Sequence, residues 1–418
     1  MGSLDRSMAE QQGQDARGQQ TERGPTPAGG GLARYVAAAA VARTADGGAV
    51  VAIVLMVTTA GGPGWLAGLL GACITGPHLL GPLVARSLDS CRDGRVLIAW
   101  ACIVHGATLA AAVLLYPVAW PVTAILLVVS GLVGPLLTGG ISSRLPAIAG
   151  QDRIGQRRAQ GWDVATYGIG GTIGPSIVAA VSAWAGATVA ALILAAATLV
   201  AAGVVRLLPY APPVAASTDI PGPFRTLRIM VSSGRLRRML YLTVTVAFSV
   251  AALPITAVAS AAMFQVQPAA AGVLTAAYGL GGLAGSAAVM LRPLRGDADR
   301  LVTRLAVLVA AALAVAALSV SFVPAVAAYA VAGLLNSYFF AATLAARSEF
   351  APPHVRGQVF VWVGALKIAA GSAGTVAAGA VMSPEPRLPL FLVSAFILAV
   401  AAASVLDRRS AEWPEAAP

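Results

Sequence analysis

The segment from Pro209 to Arg238 reads PYAPPVAASTDIPGPFRTLRIMVSSGRLRR and is the longest polar interruption within an otherwise apolar sequence. It contains five arginines and a single acidic residue, Asp219. Apolar segments of similar total length precede and follow it. We predict that this segment is a cytoplasmic loop that joins two bundles of membrane-spanning helices.

The composition places most of the chain in lipid rather than in water. Of the 418 residues, 58% are hydrophobic and 11% are charged, whereas a soluble domain has about 25% charged residues. The formal net charge is +11, which in a soluble protein would suggest nucleic-acid binding. Here the arginines lie between apolar segments, where they set membrane orientation, so we expect no nucleic-acid partner.

A membrane-spanning helix needs about 20 apolar residues, and counting such runs predicts twelve spans. They lie near residues 35–59, 64–86, 96–116, 119–141, 160–184, 187–208, 239–262, 269–291, 301–322, 324–346, 357–382 and 388–406. The first segment is polar and glycine-rich, which is typical of disorder. The predicted domains are therefore a disordered cytoplasmic tail (1–32), an N-terminal six-helix bundle (33–208), the cytoplasmic central loop (209–238), a C-terminal six-helix bundle (239–406) and a cytoplasmic tail (407–418).

The basic residues support this number of spans. With both termini in the cytoplasm, all but three of the 28 Lys and Arg residues fall on the cytoplasmic side. The exceptions are Arg387 in an outside loop and Arg43 and Lys367 within spans. Cytoplasmic loops are enriched in Lys and Arg. We therefore predict a multi-pass protein of the inner (plasma) membrane with cytoplasmic N- and C-termini.

The two halves of the chain also match each other at an offset of 203 or 204 residues. Two parallel six-helix repeats, related by an axis along the membrane normal, would explain such matches. The matched pairs are Gly81 with Gly285, Asp93 with Asp297, Arg144 with Arg347, and Arg153 with Arg356.

Twelve spans, a basic central loop and two parallel halves resemble the major facilitator superfamily. The loop after the second span, GPLVARSLDSCRDGR from Gly81 to Arg95, resembles the family signature G-x-x-x-D-R-x-G-R-R/K in a degenerate form. The resemblance implies an all-α membrane protein with twelve transmembrane helices in two pseudo-symmetric six-helix bundles. It also implies a cytoplasmic latch made by Gly81, Arg86, Asp89, Asp93, Gly94 and Arg95. The alternative is a basic loop that only sets topology.

The fifth span resembles the glycine-rich signature of drug and metabolite antiporters within this family. Gly170, Gly171, Gly174 and Pro175 match its G-x-x-x-G-P core, whereas Val178-Ala179 replaces the closing glycine pair. Such glycines let a helix press on its neighbour, and a proline permits a kink. Glycine-rich helix packing without a special role is the alternative.

Ionisable residues inside spans are candidates for proton coupling because charge is costly in a membrane. Asp46 is the acid that lies well inside a predicted span, and Arg43 shares its helix face three residues earlier. We expect either that Asp46 carries the proton or that Arg43 and Asp46 form a structural pair. His78 and His105 lie in the second and third spans and either relay protons or bond backbone carbonyls.

Several polar and aromatic residues are candidates for the wall of a substrate cavity. Lys367 is the single lysine of the chain. We expect it to bind an anionic substrate group, to compensate an acid or to lie near the water on the cytoplasmic side. Asp163 and Glu349 are expected to pair with Arg157, Arg158 or Arg347. The remaining cavity candidates are Trp162, Tyr167, Gln265, Asn336 and Tyr338.

The sequence has no GK[S/T] phosphate loop, no HExxH and no G-x-S-x-G, so we expect no enzymatic activity, no cofactor and no bound metal. The expected function is secondary active transport by alternating access, most simply proton-coupled efflux of a drug or secondary metabolite. Proton-coupled import of a nutrient and a non-transporting membrane sensor or assembly protein are the alternatives. The expected partners are a small-molecule substrate, protons and the lipid bilayer, with a monomeric protein.

Overall fold

The computed structural model describes residues 30–150, 152–210, 221–267, 271–381 and 385–412. Most of the predicted N-terminal tail, part of the central loop and the end of the C-terminal tail lie outside these residues. Within them every regular element is helical, and twelve helices are long and apolar enough to cross a membrane. In chain order they are α1 (Gly30–Thr59), α2 (Gly64–Ser90), α3 (Gly94–Leu115), α4 (Trp120–Ala149), α5 (Arg153–Ala185), α6 (Ala187–Arg206), α7 (Gly234–Ala261), α8 (Gly272–Leu291), α9 (Ala298–Leu318), α10 (Phe322–Phe350), α11 (Pro353–Val381) and α12 (Leu388–Ser410).

Each predicted span corresponds to one of these helices, so the number of spans is confirmed. Some helices extend beyond the apolar run that predicted them. For example, α5 begins at Arg153 because the Asp152 carboxylate accepts hydrogen bonds from the backbone N–H groups of Ile154 and Gly155, which caps the helix. Hydropathy marks the lipid-facing part of a helix, whereas capping residues decide where the helix starts.

The central loop contains an additional helix, Pro223–Ser232, which we call the loop helix. Its first residues contact the start of α11, where Gln358 donates to the carbonyl of Pro221 and Trp362 to that of Pro223. Because α7 begins at Gly234, the last residues of the predicted loop are helical. The loop helix therefore lies against the C-terminal bundle.

The described helices form two six-helix bundles. One apolar core is built from α7–α12 and the loop helix, and two further cores are built from α1–α6 and Leu208. The repeat seen in the sequence is visible in the packing. Gly131 of α4 lies against the Ile74 carbonyl of α2, and Gly333 of α10 lies against the Tyr278 carbonyl of α8. In both places a Cβ would clash with the backbone, so small residues allow equivalent helix pairs to approach.

The bundles meet through α5, which packs on α8 and α10, and through α11, which packs on α2 and α4. The tightest contacts lie toward the ends of α2, α8 and α10, where the arginine-rich loops begin; we call this side the basic end. There Gly161 allows α5 to approach Met290 of α8, and Gly139 allows α4 to approach Phe360 of α11.

Two helices of the N-terminal bundle are irregular at mid-depth. Helix α2 has a 3₁₀ turn at Gly76–Leu80, where Pro77 removes a backbone donor, and α4 has a π turn at Leu136–Gly140 directly after Pro135. Turns of this kind are frequent at functional sites. The first contains His78, and the second accepts a hydrogen bond from Arg43 at the Thr138 carbonyl.

Candidate functional site

A cavity of about 720 Å³ lies between the two bundles. Its wall comes from α5 of the N-terminal bundle and from α7, α8, α10 and α11 of the C-terminal bundle. It reaches Gly272, the first residue of α8, and ends near Phe340 of α10. It therefore extends from mid-depth toward the end opposite the basic end, and its volume is that of a site for a small organic molecule.

Lys367 of α11 is the charged residue among the described residues of the cavity wall. Its Nζ lies 3.8 Å from the ring centroid of Phe340 and 5.7 Å from that of Tyr167. Cation–π contacts of this kind partly replace water around an ammonium group. No described carboxylate lies within ion-pair distance of Lys367.

The other polar groups of the wall are neutral. Asn336 donates from Nδ2 to the hydroxyl of Tyr278 at 2.8 Å, and Ser337 donates to the carbonyl of Gly282 at 2.7 Å. Of the six predicted cavity residues, Tyr167, Asn336 and Lys367 line the cavity.

The other three lie elsewhere. Trp162 of α5 is exposed, Gln265 is exposed beyond the end of α7, and Tyr338 is half-buried and packs against apolar core residues. Hydropathy alone does not show which face of a helix turns toward a cavity, so it does not separate these three residues from the others.

Arg347 of α10 is buried one layer below the cavity floor, toward the basic end. Its guanidinium carbon lies 5.8 Å from the Phe340 ring centroid and 5.7 Å from the Phe360 ring centroid. Among the described residues its side chain makes one hydrogen bond, a long contact of 3.5 Å to the Thr343 hydroxyl, and its Nε has no partner there. No described acid pairs with this arginine.

Arg43 of α1 has a carboxylate partner and several hydrogen-bond acceptors for its terminal nitrogens, although its Nε has no partner among the described residues. It donates to the Asp163 carboxylate of α5 at 2.7 Å and to the Ser142 hydroxyl of α4 at 2.8 Å, and it also contacts the Thr166 hydroxyl. Its guanidinium lies 3.5 Å from the Tyr167 ring centroid. The predicted pair with Asp46 is not formed.

Asp163 also accepts from the Tyr35 hydroxyl at 2.5 Å and the Ser142 hydroxyl at 2.8 Å. The prediction that Asp163 pairs with Arg157, Arg158 or Arg347 is wrong. The packing of α1 on α5 places Arg43 beside Asp163 instead. Tyr35, Ser142 and Thr166 carried no separate signal in the sequence. Together these groups form a buried, charge-neutral cluster that ties α1, α4 and α5.

Asp46 lies one turn further along α1 and faces His78 of α2. The distance from His78 Nε2 to Asp46 Oδ1 is 3.8 Å, and the Asp46 side chain is 19% exposed. His78 sits in the 3₁₀ turn of α2 and against Gly134, where a Cβ would clash with its ring. Its Nδ1 has no hydrogen-bond partner among the described residues. The acid and the histidine thus form a loose pair at mid-depth.

His105 of α3 is fully buried behind this pair. Its Nδ1 lies 2.9 Å from the Ser130 hydroxyl of α4 and 3.3 Å from the Ser130 carbonyl, whereas its Nε2 has no partner in the part of the chain that the structure describes. Three of the four proton-coupling candidates, Asp46, His78 and His105, therefore lie in one polar region of the N-terminal bundle, and Arg43 belongs to the neighbouring neutral cluster.

Among the predicted latch residues, Asp89 makes the contact that crosses between bundles. Its carboxylate accepts from the backbone N–H groups of Gly357 at 2.8 Å and Gln358 at 2.9 Å, at the N-terminus of α11. A helix N-terminus stabilises an anion. Gly81 also lies at this interface, where a Cβ would be 3.2 Å from Val361.

The other latch candidates act within the N-terminal bundle or face solvent. Asp93 caps α3 by accepting from the backbone of Arg95, and the Arg95 side chain donates to Asp93 and to the Leu208 carbonyl. Hydrogen bonds from Arg95 lower the pKa of Asp93. Gly94 leaves room for the guanidinium of Arg144, and Arg86 is exposed.

A second contact between bundles joins Arg157 of α5 to Glu349 of α10 at 2.6 Å, as the sequence predicted for Glu349. Arg153 approaches the same carboxylate at 3.5 Å and donates to the carbonyl of Gly296. The basic end is therefore held shut by several polar contacts between the bundles.

The glycines of the antiporter-like motif bring α5 against α1. A Cβ at Gly170 would clash with Arg43, and one at Gly174 would clash with the Thr44 carbonyl and Gly48. Gly171 faces the cavity with open space beside it. Pro175 lies inside α5 without ending it.

Comparison with solved structures identifies this architecture. No family model matches the sequence, and no curated protein matches it. Similar structures include the human organic anion transporter MFSD10 (TETRAN), at 17% identity and a TM-score of 0.69, covering 89% of this chain and 99% of that one.

Two bacterial structures are similar in the same way. A bacterial homologue of the iron transporter ferroportin, in an outward-facing state, has 12% identity and a TM-score of 0.74, covering 90% of this chain and 99% of that one. The fucose:proton symporter FucP of E. coli has 12% identity and a TM-score of 0.68, covering 89% and 98%. The chain has the fold of major facilitator superfamily transporters, as the sequence resemblance implied.

Proposed function

We propose that this protein is a secondary active transporter that works by alternating access and exports a small organic molecule in exchange for protons. The observation that carries the proposal is the asymmetry of the space between the bundles. A cavity of about 720 Å³ occupies one half, and polar contacts seal the other half at the basic end.

The contacts at the basic end suit a gate that opens and closes. Two backbone hydrogen bonds to Asp89 and one ion pair from Arg157 join the bundles there, and each breaks without unfolding a helix. With the basic end in the cytoplasm, as the positive-inside rule favours, this structure is the outward-facing state. Rocking of the bundles would break these contacts and expose the cavity to the cytoplasm.

Proton coupling is assigned to Asp46 with His78 as its neighbour. Asp46 has no ion pair with Arg43, and its 3.8 Å approach to His78 leaves room for rearrangement. Gaining or losing a proton changes the attraction between these side chains, and therefore the relation of α1 to α2. Helix α1 packs directly on α5, whose residues Tyr167 and Gly171 line the cavity. The proton site is thus linked to the cavity wall by one helix contact.

The direction of transport is proposed from the glycine motif of α5. Its match to the antiporter signature favours exchange, and Gly170 and Gly174 provide the close α1–α5 contact through which exchange would be coupled. Import by proton symport would use the same cavity and the same proton site. The vesicle experiment described next therefore also measures the direction of transport.

The test uses inside-out membrane vesicles with an acidified lumen and a pH-sensitive dye inside. A panel of lipophilic cations, aromatic anions and neutral aromatic compounds is added to wild type, Asp46→Asn and Glu385→Gln. Glu385 is an exposed acid before α12 and serves as the matched acid-to-amide control. We expect at least one compound to collapse the proton gradient in wild type and Glu385→Gln but not in Asp46→Asn.

Two results would contradict the proposal. Equal responses in wild type and Asp46→Asn would remove Asp46 from the proton path. Gradient dissipation by added compounds only in right-side-out vesicles, with protons entering alongside the compound, would establish import instead of export.

A further inference from the structure

We infer that the transported molecule is an aromatic organic anion whose acidic group binds Lys367. This inference rests on the proposed transport function and names the substrate class of the same cavity. It follows from the balance of buried charge, from the donors of the cavity wall and from the shape of that wall.

The buried charges around the cavity do not cancel. Arg43 and Asp163 neutralise each other at 2.7 Å. Arg347 and Lys367 add two further cations, and no carboxylate among the described residues lies within ion-pair distance of either. An unpaired buried cation is costly in a membrane protein. A bound anion would offset this cost, whereas a cationic substrate would increase it.

The donors of the wall are suited to an acidic group. Lys367 Nζ has three N–H donors and no hydrogen-bond acceptor among the described residues, and its 3.8 Å contact with the Phe340 ring leaves these donors available. Tyr278 accepts from Asn336, so its own O–H remains a donor at the same wall. A carboxylate or sulfonate accepts several hydrogen bonds at once, which matches this arrangement.

The shape of the wall favours a flat molecule. Gly171 and Gly279 line the cavity and have nothing within 4 Å of the position of a Cβ. The rings of Tyr167 and Phe340 meet edge to face on the side of Lys367. Open, side-chain-free helix surfaces beside aromatic rings accommodate a planar aromatic group, and aromatic contacts add affinity beyond buried area.

Arg347 extends the positive potential below the cavity without contacting the substrate. It is buried between the rings of Phe340 and Phe360, with Nε unpartnered. Phe360 packs on Gly139 at the interface that closes the basic end. Arg347 therefore adds positive potential below the cavity without touching the substrate, whereas Lys367 binds the acidic group.

The test measures equilibrium binding to the purified full-length protein in detergent, without a proton gradient. The probes are benzoate, 1-naphthoate and naphthalene-1-sulfonate, each compared with its uncharged amide, and chloride and sulfate are measured separately. The variants are wild type, Lys367→Met, Lys367→Arg and Asn336→Leu. Lys367→Met removes an unpaired charge, so we expect it to remain folded.

We expect the naphthalene anions to bind more tightly than their amides. Lys367→Met should weaken anion binding by about 10- to 100-fold, the equivalent of one charged hydrogen-bonding partner, with no effect on the amides. Lys367→Arg should retain most of the affinity. Asn336→Leu, which leaves every charge in place, should weaken anions and amides alike.

The inference is overturned if anions and amides bind equally, if no probe anion binds, or if Lys367→Met leaves the anion affinity unchanged. Binding of chloride or sulfate without tighter binding of the aromatic anions would show a counter-ion only and would also overturn it. Anion binding without proton movement in vesicles would contradict the proposed coupling and leave this inference standing. Proton-coupled flux of cations alone would support the proposed coupling and overturn this inference.

Discussion

Around the cavity the two bundles share helix packing but differ in charge, whereas the buried Arg238–Asp299 pair of the C-terminal bundle lies at the basic end. In the N-terminal bundle, Arg43 pairs with Asp163 at 2.7 Å and Asp46 faces His78 at 3.8 Å. In the C-terminal bundle, Lys367 and Arg347 have no described acidic partner. The glycine contacts that hold α2 to α4 recur between α8 and α10, so the difference lies in the side chains and not in the scaffold.

This difference suggests a division of work between the halves. Groups that exchange protons need a partner whose attraction changes on protonation, and the N-terminal bundle supplies Asp46 with His78. A site for an anion needs an uncompensated cation, and the C-terminal bundle supplies Lys367. We propose that the pseudo-symmetric repeat lets one half handle the proton and the other handle the substrate.

The largest expected effect contrasts a paired with an unpaired buried charge. Asp163→Asn leaves Arg43 buried without a counter-charge and should destabilise the protein by about 3–5 kcal/mol. Arg347→Met removes an unpaired charge from between two phenylalanine rings, so it should leave stability unchanged or raise it. The measurement is the temperature at which half of the monodisperse protein is lost in detergent. Equal losses in the two variants would contradict the contrast.

The next effect tests whether the glycine contacts are equivalent in the two halves. Gly174→Ala on α5 and Gly374→Ala on α11 each place a Cβ against the backbone of the first helix of the same bundle, and overpacking of this kind costs about 1–3 kcal/mol. Gly171→Ala, which faces open space on the same helix as Gly174, is the matched control and should be near neutral. Unfolding in denaturant gives the three values. A neutral Gly174→Ala would show that α1 and α5 separate easily.

A smaller effect concerns the gate rather than stability. Asp89→Asn removes the charge at the N-terminus of α11 and should disfavour the closed basic end by about 1.5 kcal/mol, a shift of roughly tenfold. Spin labels at exposed Ser90 and Arg300, in a background without native cysteines, report the distance between bundles. Asp93→Asn is the control, because its hydrogen bonds stay within the N-terminal bundle. An unchanged distance distribution in Asp89→Asn would exclude the latch.

The smallest effect compares two helix caps at repeat-related positions. Asp93 caps α3 and Asp297 caps α9, and replacing either by Ala should cost about 1 kcal/mol. Because hydrogen bonding to Arg95 lowers the pKa of Asp93, its contribution is present at neutral pH and is lost as the pH falls below about 4. The cost of Asp93→Ala should therefore shrink in acid. A cost that does not depend on pH would mean that the charge of Asp93 is irrelevant.

The sequence predicted the features that depend on local composition. The twelve spans follow from apolar runs, and the position of Lys367 inside the eleventh span follows from the same runs. The partners of Arg43 and Asp89 were not predictable in this way. Asp163 is 120 residues from Arg43 in the chain, and Gly357 is 268 residues from Asp89.

Such pairings depend on which helices pack together and on the rotation of each helix about its axis. Hydropathy gives no information on either. The same limit explains why Tyr167 lines the cavity whereas Trp162, five residues earlier on α5, does not. The sequence predicts that a residue lies in the membrane, and the packing decides what it meets there.

The most direct test of the division between the bundles measures anion binding and proton movement on the same preparations of wild type, Asp46→Asn and Lys367→Met. We expect Asp46→Asn to bind naphthalene-1-sulfonate like wild type but to move no protons when this anion is added to liposomes with a pH gradient. Lys367→Met should show weakened anion binding and reduced proton movement, because the anion binds less tightly. The division of work is contradicted if Asp46→Asn loses anion binding to the same extent as Lys367→Met, or if Asp46→Asn still couples the anion to protons.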